Sequence, residues 1–61
     1  MKHELFNRDG SLRAVIVQSG SKTEIHSASG QLLGVYNPAT DETYDAYGHF
    51  VGRGDLLTTL I

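Results

Sequence analysis

Thr43-Tyr44-Asp45-Ala46-Tyr47-Gly48-His49-Phe50-Val51-Gly52-Arg53-Gly54 is the stretch from which the fold can be read. At its centre is a turn signal, Asp45-Ala46-Tyr47-Gly48, followed by His49-Phe50-Val51-Gly52. The same pattern stands twice more upstream. Asn7-Arg8-Asp9-Gly10 precedes Ser11-Leu12-Arg13-Ala14, and Ser27-Ala28-Ser29-Gly30 precedes Gln31-Leu32-Leu33-Gly34. The three turn glycines are 20 and 18 residues apart, the near-regular spacing of a repeat architecture.

Each column of the pattern has a physical reason. Asn, Asp or Ser at the first position of a type I turn can accept a backbone N–H from within the turn. Glycine at the fourth position takes the left-handed conformation without a side-chain clash. A type I turn followed by such a glycine is a hairpin loop with a G1 bulge. Gly10, Gly30 and Gly48 are therefore expected to have positive φ, and the chain to be three consecutive β-hairpins. Simple alternation along each return strand places Leu12, Leu32 and Phe50 on one face together with Ala14, Gly34 and Gly52. A large residue followed by a tiny one suggests close approach of another backbone there.

Outward from the turns, His3 to Phe6 reads as a first strand and Ser11 to Gln18 as its return. Ser19-Gly20-Ser21 connects to a strand over Lys22 to Ser27, which returns over Gln31 to Tyr36. Asn37-Pro38-Ala39-Thr40-Asp41 is a second connector, since proline suits a turn and forbids a central strand. Glu42 to Asp45 and His49 to Arg53 form the third hairpin. No segment has a helical period. The tail Asp55-Leu56-Leu57-Thr58-Thr59-Leu60-Ile61 has two readings. Asp55 could cap one helical turn with Leu56 and Leu60 on one side. The threonines and terminal isoleucine favour a final strand, which is the expected state.

The fold class that follows is all-β: three hairpin repeats in a small antiparallel sheet or barrel-like assembly, one domain over residues 1–61, completed by oligomerisation. A chain of 61 residues buries only about 60% of its unfolded surface. It has no cysteine, so no disulfide is available and a structural zinc site is not expected. Oligomerisation is the remaining staple. By alternation Val15, Val17, Leu33, Val35 and Val51 lie opposite Leu12, Leu32 and Phe50. This second apolar set, with Leu56, Leu57, Leu60 and Ile61, is the expected oligomer interface. Closed cyclic symmetry would bury it without making fibres, and edge strands pairing around an axis would suit three or more subunits.

Charge and composition exclude several classes. Net charge is −2, and the five basic residues Lys2, Arg8, Arg13, Lys22 and Arg53 are scattered. Nucleic-acid binding needs clustered basic charge to neutralise phosphates. No apolar run approaches the ~20 residues that span a bilayer. Met1-Lys2-His3-Glu4 is not followed by a signal-peptide core. The expected setting is a bacterial cytoplasm or a phage-encoded intracellular protein, with no nucleic-acid or membrane partner.

Tyr44-Asp45-Ala46-Tyr47-Gly48-His49-Phe50-Val51-Gly52 resembles the Tyr-Asp-x-x-Gly-x-x-x-Gly repeat of small bacterial four-fold β-flower domains. It also resembles a single YD repeat of the large RHS-type proteins. The second copy keeps both glycines but has His26-Ser27 in place of Tyr-Asp. The first has Phe6-Asn7, and Ala14 replaces its last glycine. The resemblance implies a small β-repeat fold and brings no activity or cofactor with it.

The candidate sites are few. His3, His26 and His49, with Glu24 or Asp45, have the atoms for metal binding or acid–base work, but no pair has the spacing of a metal motif. Catalytic residues, metal and cofactors are each expected to be none. Tyr36 and Tyr47 are candidates for an aromatic ligand platform, with Tyr44 and Phe50 read as core. The serines are turn residues and the glycines lack a following helix, so neither a triad nor a phosphate loop is indicated. The expected function is a non-enzymatic structural or interaction module that binds itself, or another protein, as a homo-oligomer. The alternative is a carbohydrate or cell-wall binding module using the tyrosines.

Overall fold

The computed structural model describes residues 2–61. They form one open antiparallel sheet in which every strand pairs with its neighbours in sequence. The strands are β1 (Lys2–Phe6), β2 (Leu12–Ser19), β3 (Lys22–Ser27), β4 (Leu32–Asn37), β5 (Glu42–Asp45) and β6 (Phe50–Arg53). Short connections make sequential strands spatial neighbours. The sheet does not close into a barrel, because β1 and β6 both remain edges.

The three repeat hairpins share one turn geometry. Gly10, Gly30 and Gly48 have φ of 91°, 93° and 83°. Their N–H groups donate to the carbonyls of Asn7, Ser27 and Asp45 at 3.0, 2.9 and 3.1 Å. The first-position side chains act as the sequence implies in two of the three turns. Ser27 Oγ accepts the Gln31 N–H at 3.1 Å, and Asp45 Oδ1 accepts those of Tyr47 and His49 at 2.9 Å each. In the first turn Asp9 takes this role instead of Asn7, accepting the Ser11 N–H and hydroxyl. The connectors are turns too. Gly20, at φ 60°, opens a two-residue loop between the paired Ser19 and Lys22. Asp41 holds a positive φ of 56°, fixed by Tyr36 Oη donating to its carboxylate and Gly54 N–H donating to its carbonyl, both at 2.8 Å.

A second irregularity recurs in every repeat and overturns the expected sorting of side chains. Phe6 pairs with Leu12 while Leu5 pairs with Ala14, so Arg13 is an extra residue. Leu33 is extra between Leu32 and Gly34, and Val51 between Phe50 and Gly52. Each bulge adds one residue to the return strand and inverts the alternation beyond it. Leu12, Leu32 and Phe50 therefore face away from Ala14, Gly34 and Gly52. They share a face with Val15, Val17 and Val35, from which alternation had separated them.

The other face carries Leu5, Ala14, Ile16, Ile25, Gly34, Tyr36, Thr43 and Gly52, and the tail covers it. The tail is a 3₁₀ turn over Leu57–Leu60, not the expected strand. Residues three apart in a 3₁₀ helix lie on the same side. Leu57 and Leu60 can then both reach Gly34, and Leu56 reaches Gly52; a strand would point Leu57 and Leu60 to opposite faces. A Cβ on Gly34 would collide with Leu60 and sit 2.8 Å from the Tyr44 carbonyl oxygen. The small residues of the repeat thus make room for leucines from the tail. Ala14, Ile25 and Leu57 form the buried core, with Leu5, Ile16, Leu33, Tyr36, Leu60 and Ile61 packed around it. Leu57, Leu60, Ile61 and Leu33, expected at an oligomer interface, therefore pack within the chain.

Thr43 anchors this arrangement. It is fully buried, its Oγ1 donates to the Gly54 carbonyl at 2.6 Å, and it accepts the Leu56 N–H at 3.1 Å. Asp55 Oδ1 accepts the Leu57 N–H at 3.2 Å, and Thr59 Oγ1 donates to the Leu56 carbonyl at 2.6 Å.

Two substitutions test this account by urea unfolding. Gly48→Val should destabilise by more than the ~1 kcal/mol of an ordinary substitution, because a β-branched residue is strained at positive φ. A parent-like midpoint would refute the hairpin geometry. Thr43→Val removes two hydrogen bonds at nearly constant volume and should cost about 1–3 kcal/mol. The exposed Thr58→Val should stay within about 0.5 kcal/mol. Equal effects from the two threonines would contradict the anchoring role.

Candidate functional site

The strand register builds two cross-strand rows on the face opposite the tail. Glu4, Val15, His26 and Leu32 form one row. Lys2, Val17, Glu24, Val35, Tyr44 and Phe50 form the other. Phe6 and Leu12 pair at one end. Among the described residues no segment of the chain crosses this face. Phe6 is 58% exposed, Phe50 56% and Leu32 37%; Leu12, Val15, Val17, Val35 and Tyr44 are half-buried.

Two contacts structure the open face. Tyr44 and Phe50 meet edge to face with ring centroids 5.8 Å apart, a favoured aromatic geometry. Tyr44 Oη donates to Glu42 Oε1 at 2.9 Å, and that hydrogen bond raises the phenol's pKa above its ordinary value. Phe50, read from sequence as core, is thus an exposed partner of a half-buried tyrosine. Glu24 and His26, two apart on β3, project from the same side, with Nε2 3.1 Å from Oε1. His26 Nδ1 lies 3.4 Å from the Gly30 carbonyl. Glu24 and His26, candidate ligand or acid–base groups by residue type, are paired directly by their places on the strand.

The other candidates are dispersed. His3 lies on edge strand β1 opposite Ile16, on the tail side of the sheet. His49 is exposed, its Nδ1 3.6 Å from Asp45 Oδ2. Tyr36 is held by Asp41 just before β5, whereas Tyr47 is 86% exposed in the turn after it. Tyr36 is on β4, opposite Thr43 on the tail side of the sheet, so the two tyrosines of the expected platform stand on different elements. Val51 is 37% exposed at its bulge. Among the described residues there is no cluster of three or more metal-ligating side chains, no cavity, and no helix long and apolar enough to cross a membrane.

The chain matches no family model, no curated protein and no solved structure in the comparisons made.

The turn carboxylate at the tip of the third hairpin gives a pH test. The His49 N–H, above all, holds the Asp45 pKa below the usual carboxylate range, aided by the Tyr47 N–H and the nearby His49 ring. A group with a depressed folded pKa adds stability above its unfolded value and loses it as pH falls through the folded one. The melting temperature should therefore drop below about pH 4. Asp45→Asn should melt with a shallower acid decline, and an identical decline would assign the loss elsewhere.

Proposed function

We propose that this chain is a small non-enzymatic assembly module whose open sheet face packs against a second copy of itself, giving a homo-oligomer. The observation that supports this is the row of aliphatic and aromatic side chains that no described segment covers, while the opposite face has its own tail. Contiguous exposed apolar surface of this kind marks interaction sites.

A second copy is the occupant that the dimensions and charges favour. The molecule measures 35 × 21 × 17 Å. A rectangle on its two longer extents is roughly 700 Å², so burying the whole face would approach the ~800 Å² per partner of a standard interface. Face-to-face packing of two sheets about 10 Å apart is a standard β-sandwich arrangement. A face that packs on its own copy is isologous and closes by a two-fold axis without forming fibres. Its margin holds both charge signs, Lys2 and Glu4 at one edge and Glu42 paired with Arg53 at the other, so a two-fold mate can offer opposite charges. The carbohydrate reading loses ground because Tyr36 is on the tail side of β4 and Tyr47 in the loop of the third hairpin.

Light-scattering mass and sedimentation velocity test the proposal. The chain should run as a dimer or a higher even-numbered oligomer, and Val35→Lys should give a monomer with an unchanged circular dichroism spectrum. A parent chain that stays monomeric at about millimolar concentration, where a weak complex would still form, refutes it. Glycan binding lost on Tyr47→Ala, without association, would move the assignment to the carbohydrate reading.

A further inference from the structure

We propose that assembly through this face is proton-linked: covering the Glu24–His26 pair takes up one proton per subunit, so association strengthens as pH falls. The inference rests on the reading of the open face as a self-association surface, and it adds the regulation of that surface.

The geometry around His26 carries it. One ring nitrogen faces a carboxylate oxygen at 3.1 Å and the other a backbone carbonyl at 3.4 Å. Both partners only accept, and a neutral imidazole has a single N–H to donate. With Glu24 ionised, only the imidazolium satisfies both. Beside the pair, β2 presents Val15 and Val17, and β4 presents Leu32 and Val35. The next titratable groups on this face are Lys22, two residues before Glu24 on β3, Lys2 and Glu4 on β1, Glu42 with the Tyr44 phenol on β5, and Arg53 on β6. Tyr44 Oη already donates to Glu42. Lys22 is exposed at the start of β3, and among the described residues the ion-pair partner of Glu24 is His26.

In the single chain the side chains of His26 and Glu24 are 28% and 36% exposed, so water solvates the carboxylate whatever the imidazole carries. A covering apolar face removes that water. A carboxylate beside a neutral imidazole is then a buried, uncompensated charge, the costliest arrangement available. One added proton from solvent makes the pair net neutral. This holds whether the proton sits on Nε2 or is shared back to Oε1, so the sign does not depend on its position.

The linkage follows. Assembly raises the proton affinity of the pair above that in the single chain. The added stabilisation is fully present where the single chain is itself protonated, and is lost as pH rises through the titration of the assembled pair. Imidazoles gain their charge between about pH 5 and 8, which sets the window. His49 is exposed and His3 lies on the tail side, so neither is buried by this assembly.

Sedimentation equilibrium on the full chain from about pH 8 to about pH 6 provides the test. The parent's dissociation constant should fall about tenfold or more over that range. His26→Gln leaves a covered carboxylate without a cation and should move the dependence to lower pH, toward the carboxylate range; the Glu24→Gln/His26→Gln double variant, with no titratable pair to cover, should abolish it. Glu24→Gln should reverse it, since a covered imidazolium then lacks its counter-charge. The His3→Gln/His49→Gln double variant should keep it, which separates the pair from the general approach to the isoelectric point near 5.8. Should a variant fail to fold, an NMR titration of His26 in the parent reads the same quantity. Its midpoint must be higher in associated than in dilute samples. A parent that associates equally well at every pH, or an unchanged dependence in the Glu24→Gln/His26→Gln double variant, overturns the linkage and leaves the assembly reading intact. A parent monomeric at every pH removes both.

Discussion

The hydroxyl of Thr43 holds the chain together at the point where it leaves the sheet. Fully buried on β5, it bonds the Gly54 carbonyl on one side and the Leu56 N–H on the other. That double contact seats the tail across the sheet and directs Leu57 toward Ala14 and Ile25. A lone sheet has two wet faces, and a stable domain needs a second layer. The 3₁₀ turn is that layer, and it is wide enough for one face only. The division of the molecule into a covered and an open side descends from this contact.

The repeated bulge decides which residues go to which side. With one extra residue in each return strand, the tiny residues of the pattern turn inward to admit the tail's leucines. The large ones turn outward. Among the described residues the core has three fully buried apolar side chains, small even for a domain of this size, where stability is marginal in any case. Much of the chain's apolar material lies on the open side instead. That imbalance is the physical case for a partner.

A polar pair in the middle of an apolar surface changes what the surface can do. Val15, Val17, Leu32 and Val35 alone would favour any flat apolar neighbour. Glu24 and His26 demand hydrogen-bond partners and a balanced charge wherever water is excluded, and such demands discriminate among partners and registers more than they add affinity. In the proposed assembly the same pair also ties association to pH.

By itself the sequence determined the three turns, the six strands and their antiparallel order. These rest on local chemistry: a side-chain acceptor at the first turn position, a glycine at the fourth, and connectors too short for anything but adjacent strands. It also brought Val15, Val17 and Val35 together by simple alternation, and they do share the open face. Only the tertiary structure decided their company. A bulge is a relation between two strands, and Arg13, Leu33 and Val51 bear no local mark of being the extra residue. The tail was likewise open to decision. Its threonines suit a strand, but a strand sends Leu57 and Leu60 to opposite sides, and a 3₁₀ turn puts both over Gly34. Burial against a particular glycine outweighed intrinsic preference, because preference is a few tenths of a kcal/mol per residue and a buried leucine is worth about 2 kcal/mol.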